Sequence, residues 1–450
     1  MNATREELRQ WDREVVWHAF TQMAEYEPLL IERAHGCTLV DIDGREFLEG
    51  VSNLWCNTHG HAHPRLDQAI RDQLDKVAHV TSLGLSNPTT VTLAKRLTEL
   101  APSGLRHVFF SSDGSSAVEV ALKMAFQYWR QCPDPRPGKT KYLAFTEAYH
   151  GDTLGSVSVG GVARFHEMFR PLLFEVIRLP APDCYRMPVG VTRTTVCRHY
   201  LDQLQRALHA HHEDLAAVVI EPLIQAAAGM ITHPRGYLRG VRELTRQYNV
   251  LLIADEVAVG FGRTGKLFAC EHENVTPDLL CLGKGLTGGY LPMAATLATG
   301  EIWRTFLGSY AQGRTFYHGH TYSGNPLAAA VALATLDVFD EEQTLAQLPA
   351  KVQRLKEQLA RIAAHPHVGD VRQCGLMAGI ELVRDRQTRE PYAWAEKRGY
   401  RVCDYARTEG VWLRPLGNVV VIMPPLAITP PELDRICNAA ERGIVAATEA

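Results

Sequence analysis

The sequence predicts an α/β protein: a mostly parallel central sheet covered by helices, with a small α+β part built from both termini. Three observations predict it. Val250 to Ala254 is an unbroken apolar run that ends at Asp255, and a solid run without alternation suits a strand buried on both faces. Leu279 to Leu282 is a second such run, and it delivers Lys284 to a glycine-flanked turn. The third is a strand, helix and strand in succession, at His107 to Phe110, Ala117 to Trp129 and Lys141 to Phe145.

The chain has 450 residues, enough for two or three domains and a large core. Apolar residues at 46% and charged residues at 22% describe a soluble globular protein. A net charge of -3 gives no reason to expect nucleic acid or an acidic membrane as partner. Met1 to Arg13 is polar, and Glu221 interrupts the longest candidate span, so neither a signal peptide nor a membrane helix is expected. The ten cysteines form no CxxC pair, which reads as free thiols in a reducing cytoplasm.

Glu6 to Val16 suits a short helix. Cys37 to Asp41 and Glu46 to Val51 suit a hairpin closed at Asp43-Gly44. His59, His61 and His63 alternate before Pro64. No carboxylate or cysteine is spaced around them for a metal, and the proline opens a helix, so no metal is expected. After the strand at His107 to Phe110, Ser111-Ser112-Asp113-Gly114-Ser115-Ser116 leads into a helix. Free backbone N–H groups and the helix dipole make such a place a phosphate site, and equally an ordinary helix cap. Tyr149 follows the strand Lys141 to Phe145, where an aromatic ring can stack on a flat ligand. Pro180 to Val196 reads as a surface loop. Leu215 to Ile220 is a strand ending at Glu221, with Gln225 just beyond. A helical stretch begins near Pro326, a long charged helix spans Gln347 to Ala364, and Val368 to Val371, Ala378 to Val383, Trp412 to Arg414 and Val419 to Met423 read as strands.

Asp255 and Lys284 make a chemical pair, since ligands of open α/β sheets sit at the carboxyl ends of strands. A lysine that condenses with an aldehyde must lose its proton, and a buried carboxylate keeps a ring nitrogen protonated. The run Asp255 to Gly265, with Pro277-Asp278, Leu282-Gly283-Lys284-Gly285-Leu286 and Gly288-Gly289-Tyr290-Leu291-Pro292, resembles the signature of the class III, fold-type I aminotransferases. The likeness runs from about Trp17 to about Pro430. It implies a pyridoxal 5'-phosphate enzyme with a large cofactor domain over residues 61–330 and a small domain from residues 1–60 and 331–450. By the same resemblance Lys284 and Asp255 are catalytic. Gly114 and Ser115 bind the cofactor phosphate, Tyr149 and Val257 close the two ring faces, and Gln225 lies near the phenolic oxygen. Thr321 reaches the phosphate of a second copy, which implies a homodimer with shared sites. The family's usual Asp-Ser order stands here as Ser112-Asp113.

Val51 to Trp55, Tyr149 to Thr153, Gly265 to His272, Arg414-Pro415 and Met423-Pro424-Pro425 resemble the biotin-pathway branch, which makes 7,8-diaminononanoate from 8-amino-7-oxononanoate. The resemblance makes Trp55 an aromatic wall and Arg414 the anchor of the acceptor's carboxylate, with Phe20, Tyr149, Asp152 and Gly319 also counted in the substrate pocket. The partners expected are thus a small amino donor and an oxo-acid acceptor. Leu54, Phe20 and His320 stand where the members using S-adenosylmethionine tend to carry tryptophan, tyrosine and proline, and look more like the lysine-using subset. The runner-up is a broad ω-aminotransferase acting on amines, β-amino acids or diamines.

Overall fold

A computed structural model describes residues 3–449. Its centre is a seven-stranded sheet: β1 Leu105–Ser111, β2 Lys141–Phe145, β3 Val176–Leu179, β4 Leu215–Ile220, β5 Leu251–Asp255, β6 Leu279–Leu282 and β7 Ala294–Thr299. The spatial order is β1-β7-β6-β5-β4-β2-β3. β7 is antiparallel to both neighbours, and the remaining pairings are parallel. The uninterrupted apolar runs predicted this burial: every residue of β4, β5 and β6 is buried. Burying each Leu or Ile side chain there contributes about 2 kcal/mol.

The helix Gly114–Gln131 covers one face, and its Trp129 indole N–H donates to Ala216 O at 2.8 Å. Three residues expected as loop belong to this helix, because Asp113 takes the N-cap position and accepts the Ser116 N–H at 2.9 Å. Lys139, also buried, donates to the carbonyls of Leu215 at 3.2 Å and Asn249 at 2.9 Å, tying the starts of neighbouring strands together.

The two ends of the chain meet in one sheet. The predicted hairpin forms between Thr38–Asp41 and Glu46–Glu49, and Val411–Trp412 pairs in parallel with its second strand. Val368–Cys374, Met377–Asp385, Val419–Ile422 and Arg414–Leu416 form a separate antiparallel sheet. The charged helix expected from Gln347 starts earlier, at Thr344, and ends at Ile362. The 180–196 loop is less superficial than its Pro, Arg and Thr content suggested: Tyr185 is buried, and Arg186 pairs with Glu381.

Pro64 does open a helix, Pro64–Leu74. The three alternate histidines take separate partners. His59 Nε2 meets Thr335 O at 3.1 Å, His61 meets Glu49 at 2.9 Å and His63 meets Glu342 at 3.0 Å. Two carboxylates therefore do reach them, contrary to the sequence reading, but each serves one ring. The ten cysteines are free, and no helix among the described residues is long and apolar enough to cross a membrane.

Candidate active site

Two adjacent strand ends organise the site. β5 ends at Asp255, whose partner across the ladder is Cys281 on β6, just ahead of Lys284. Lys284 opens a single helical turn with φ +29°, a strained conformation of the kind that concentrates at functional sites. The residue keeps some surface towards a cavity, yet its ammonium is enclosed. Desolvation pushes its pKa below the ordinary lysine value, against the opposing pull of Asp255, Cys56, Glu221 and Asp152. A lysine so placed gives up its proton more readily.

Asp255 is buried and held from two sides. One oxygen accepts the Val257 N–H at 2.9 Å, and the other meets His150 Nδ1 at 2.7 Å. His150 is itself buried, and its Nε2 has no partner among the described residues. Desolvation works against a charged imidazole there, but the hydrogen bond and charge of Asp255, with Glu221, outweigh it and raise the His150 pKa.

With Asp113 capping Ser116, the N–H groups of Gly114 and Ser115 point beyond the helix end, where an anion is favoured. A Cβ on Gly114 would lie 2.4 Å from Val257 Cγ1, so only glycine lets Val257 approach. Ser115 Oγ accepts the Asp152 N–H at 3.3 Å. Glu119, farther along the same helix, accepts from Thr153 Oγ1 at 2.6 Å and the Gly155 N–H at 2.7 Å. The loop carrying Tyr149 and Asp152 is thus fixed to the helix that presents Gly114.

The Tyr149 hydroxyl donates to Asp152 Oδ2 at 2.7 Å, and its backbone N–H donates to Glu221 Oε1 at 3.0 Å. Burial pushes Glu221 up to about 7. Gln225 donates from Nε2 to Thr146 O at 2.8 Å, while its buried Oε1 has no partner among the described residues. Phe20, Trp55, Tyr149, Lys284 and Arg414 line one cavity. Lys284 Nζ lies 5.6 Å from the Trp55 ring centroid. Among the described residues the Arg414 side chain has no ion pair or hydrogen-bond partner.

The Aminotransferase class-III family profile matches residues 21–444. The chain belongs to the class-III aminotransferases. An adenosylmethionine-8-amino-7-oxononanoate aminotransferase of Geobacter sulfurreducens is 53% identical over 441 residues, 97% of either chain. The solved structure of the protein of that name from Methanocaldococcus jannaschii matches with TM-score 0.93 and 43% identity, over 98% of this chain and 99% of that one. An amine transaminase from an uncultivated Pseudomonas species, solved in its PLP-bound form, matches with TM-score 0.91 and 36% identity, over 96% and 99% of the two chains.

Not every residue expected in this aminotransferase's pocket lies in the cavity. Gly319 and Thr321 are exposed, on a segment lying over the helix Gly114–Gln131 and its N-terminal loop. There Ser112 Oγ meets His320 Nδ1 at 3.2 Å, and His79 Nε2 meets Thr321 O at 3.1 Å. Asp152 touches the site through the Tyr149 hydroxyl. The cavity also takes in Phe165 and Ala227, which sequence reasoning missed. Phe165 sets its edge against Phe20 at 5.3 Å between centroids, but it sits in a short irregular helix with no motif or period to mark it. His150 had a signal, its place beside Tyr149, but its contact with Asp255 crosses 105 positions of sequence.

Proposed function

We propose that the chain converts 8-amino-7-oxononanoate to 7,8-diaminononanoate in biotin synthesis, with pyridoxal 5'-phosphate held at the residues described above. The observation that carries the reading is a single cavity in which a desolvated lysine, an aromatic wall and an unpaired arginine meet. Full-length relatives named for that reaction support the substrate.

The donor set fits the cofactor. A buried carboxylate stands at a strand end for the ring nitrogen, and two helix-end N–H groups stand ready for the phosphate. The glycine floor at Gly114 leaves room that a Cβ would fill, and Gln225 offers a buried amide. When bound, pyridoxal phosphate supplies an electron sink for the charge left on a substrate carbon that loses its proton. Asp255, oriented by His150 and the Val257 N–H, holds a proton at the ring nitrogen. Gly114 and Ser115 would hold the phosphate, and Tyr149, Val257 and Gln225 would hold the ring. Lys284 Nζ takes and returns the proton at the reacting carbon. Trp55 lies along the acceptor's apolar chain with Phe20 and Asp152 beside it, and Arg414 pairs with the distant carboxylate. Gly319 and Thr321 serve the site of a second copy.

For the amino donor, two readings each have an observation behind them. The relatives' names specify S-adenosylmethionine, whereas Phe20 and Leu54, which both line the cavity, favour lysine. A half-reaction assay tests both. Lysine, S-adenosylmethionine or alanine is added separately to the holoenzyme, and the bound-cofactor absorbance is followed. Bleaching by one donor identifies it, and recovery on adding 8-amino-7-oxononanoate establishes the acceptor. Bleaching by simple amines without that recovery would instead favour the ω-aminotransferase reading, which the amine transaminase neighbour supports.

A further inference from the structure

Trp55 sits on a turn wound in an unusual way. Ser52, Asn53 and Trp55 have φ of +51°, +59° and +68°, and an L residue held in the left-handed region is strained. Three such residues within four positions do not persist without an anchor.

The anchor is Glu49, at the end of the strand Glu46–Glu49. Its carboxylate is fully buried, and no lysine or arginine pairs with it among the described residues. One oxygen accepts the Asn53 N–H. The other accepts Asn57 Nδ2 at 3.2 Å and meets His61 Nε2 at 2.9 Å. Asn57 in turn accepts the Gly60 N–H at 2.9 Å. One carboxylate therefore grips both ends of the loop that carries Trp55. On the far side the loop lies against the glycines that follow Lys284: Thr58 N–H donates to Gly288 O at 3.3 Å, and a Cβ on Gly289 would lie 2.9 Å from Asn57 Cα.

We infer that Glu49 is a positioning residue for the acceptor pocket: it holds the 52–57 turn wound, so that the Trp55 ring forms the wall beside Lys284 and selects an apolar chain. This inference rests on the proposed role of Trp55 as that wall. The consequence is specific. Losing the Glu49 grip affects acceptor binding through Trp55, and should add little once the Trp55 ring is gone.

A double-mutant cycle on the holoenzyme reads this directly. Glu49→Gln keeps the side chain's size and one acceptor oxygen but loses the second. Acceptor KM is expected to rise about tenfold in Glu49→Gln, with kcat moving less than threefold. In a Trp55→Ala background the same change is expected to alter KM less than twofold. His61→Leu, at the rim of the grip, is the milder second variant, with an expected threefold rise in KM that also vanishes without Trp55. An equal KM effect with and without Trp55, or a parallel loss of cofactor binding, would overturn the inference and leave Glu49 as general structural support. The cycle is run with 8-amino-7-oxononanoate, or with whichever ketone the wild type accepts. A wild type inactive on the oxononanoate therefore counts against the proposed substrate, while the cycle still reads Glu49.

Discussion

At the scale of single residues, the proposed reaction rests on Lys284 and Asp255, each set by its surroundings. Lys284 owes its lowered pKa to burial, and Asp255 owes its orientation to two donors from different parts of the chain. Lys284→Ala is expected to lower kcat by about a thousandfold or more, since among the described residues no other amine lines the cavity; steady-state rates near wild type would remove Lys284 from the mechanism. His150→Leu takes one donor from a buried carboxylate, a loss of about 1–3 kcal/mol. Titrating the apoprotein with pyridoxal phosphate is expected to show affinity reduced about tenfold or more, and His150→Asn, which keeps a donor, to recover most of it. Unchanged affinity in the leucine variant would show that the Val257 N–H alone orients Asp255. Lys284 and Asp255 were legible because each lies inside a long ordered signature. His150 and Phe165 were not, because their significance rests on contacts with residues distant in sequence.

At the scale of elements, β5 delivers two carboxylates in succession with different fates. Asp255 turns into the site, while Glu256 is completely buried and accepts the Ala269 and Cys270 N–H groups at 2.6 and 2.7 Å. It holds the loop after the signature to the strand end. Desolvation pushes Glu256 up to about 7, with those two hydrogen bonds acting in the opposite direction. Its folded pKa is thus above its unfolded value of 4.5. The native state binds the extra proton between those values, so this group's contribution to stability is complete below pH 4.5 and is lost as pH rises through about 7. The expected size is about 1–3 kcal/mol. Glu256→Gln removes the titration, so its melting temperature is expected to fall less than wild type's between pH 5 and pH 8 in thermal melts. Equal slopes would mean that Glu256 stays ionised throughout. Strands β4, β5 and β6 were readable from unbroken apolar runs, whereas β3 and the antiparallel β7 were not singled out. The start of the Gly114 helix was misread because Ser, Asp and Gly serve equally as loop and as cap, and only the Asp113 side chain contact decides between them.

At the scale of the whole molecule, the cavity at Lys284 draws on segments from both ends of the chain, Phe20 and Trp55 on one side and Arg414 on the other. Arg263 helps join them: fully buried, it donates to Asn57 O at 2.6 Å and Pro424 O at 2.7 Å. Tyr310, Tyr317 and Tyr322 are exposed on and beside the segment that carries Gly319 and Thr321, and exposed Leu83 and Leu85 follow Ser82, whose hydroxyl donates to Ser323 O at 3.0 Å; contiguous exposed apolar surface marks interfaces. We expect sedimentation to give twice the chain's 50.1 kDa. Thr321→Glu, by bringing a carboxylate to a second copy's phosphate, is expected to weaken cofactor binding about tenfold, or about 1.4 kcal/mol. A monomer that binds cofactor fully would remove the shared-site reading.

The sequence by itself determined the buried parallel strands, the lysine and carboxylate at their ends, the glycine-containing turn that opens a helix near Gly114 and the family to which they belong. These are local matters: apolar periodicity, backbone freedom at glycine and ordered motifs are all written along the chain. Only the tertiary structure decided that His150 holds Asp255, that Glu49 grips a strained turn beneath Trp55, and that Phe165 joins Phe20 at the cavity. The reason is physical. A buried polar group must find its partner wherever the fold brings one, and the chain positions of Glu49 and His61, or of His150 and Asp255, carry no mark of the contact that folding makes.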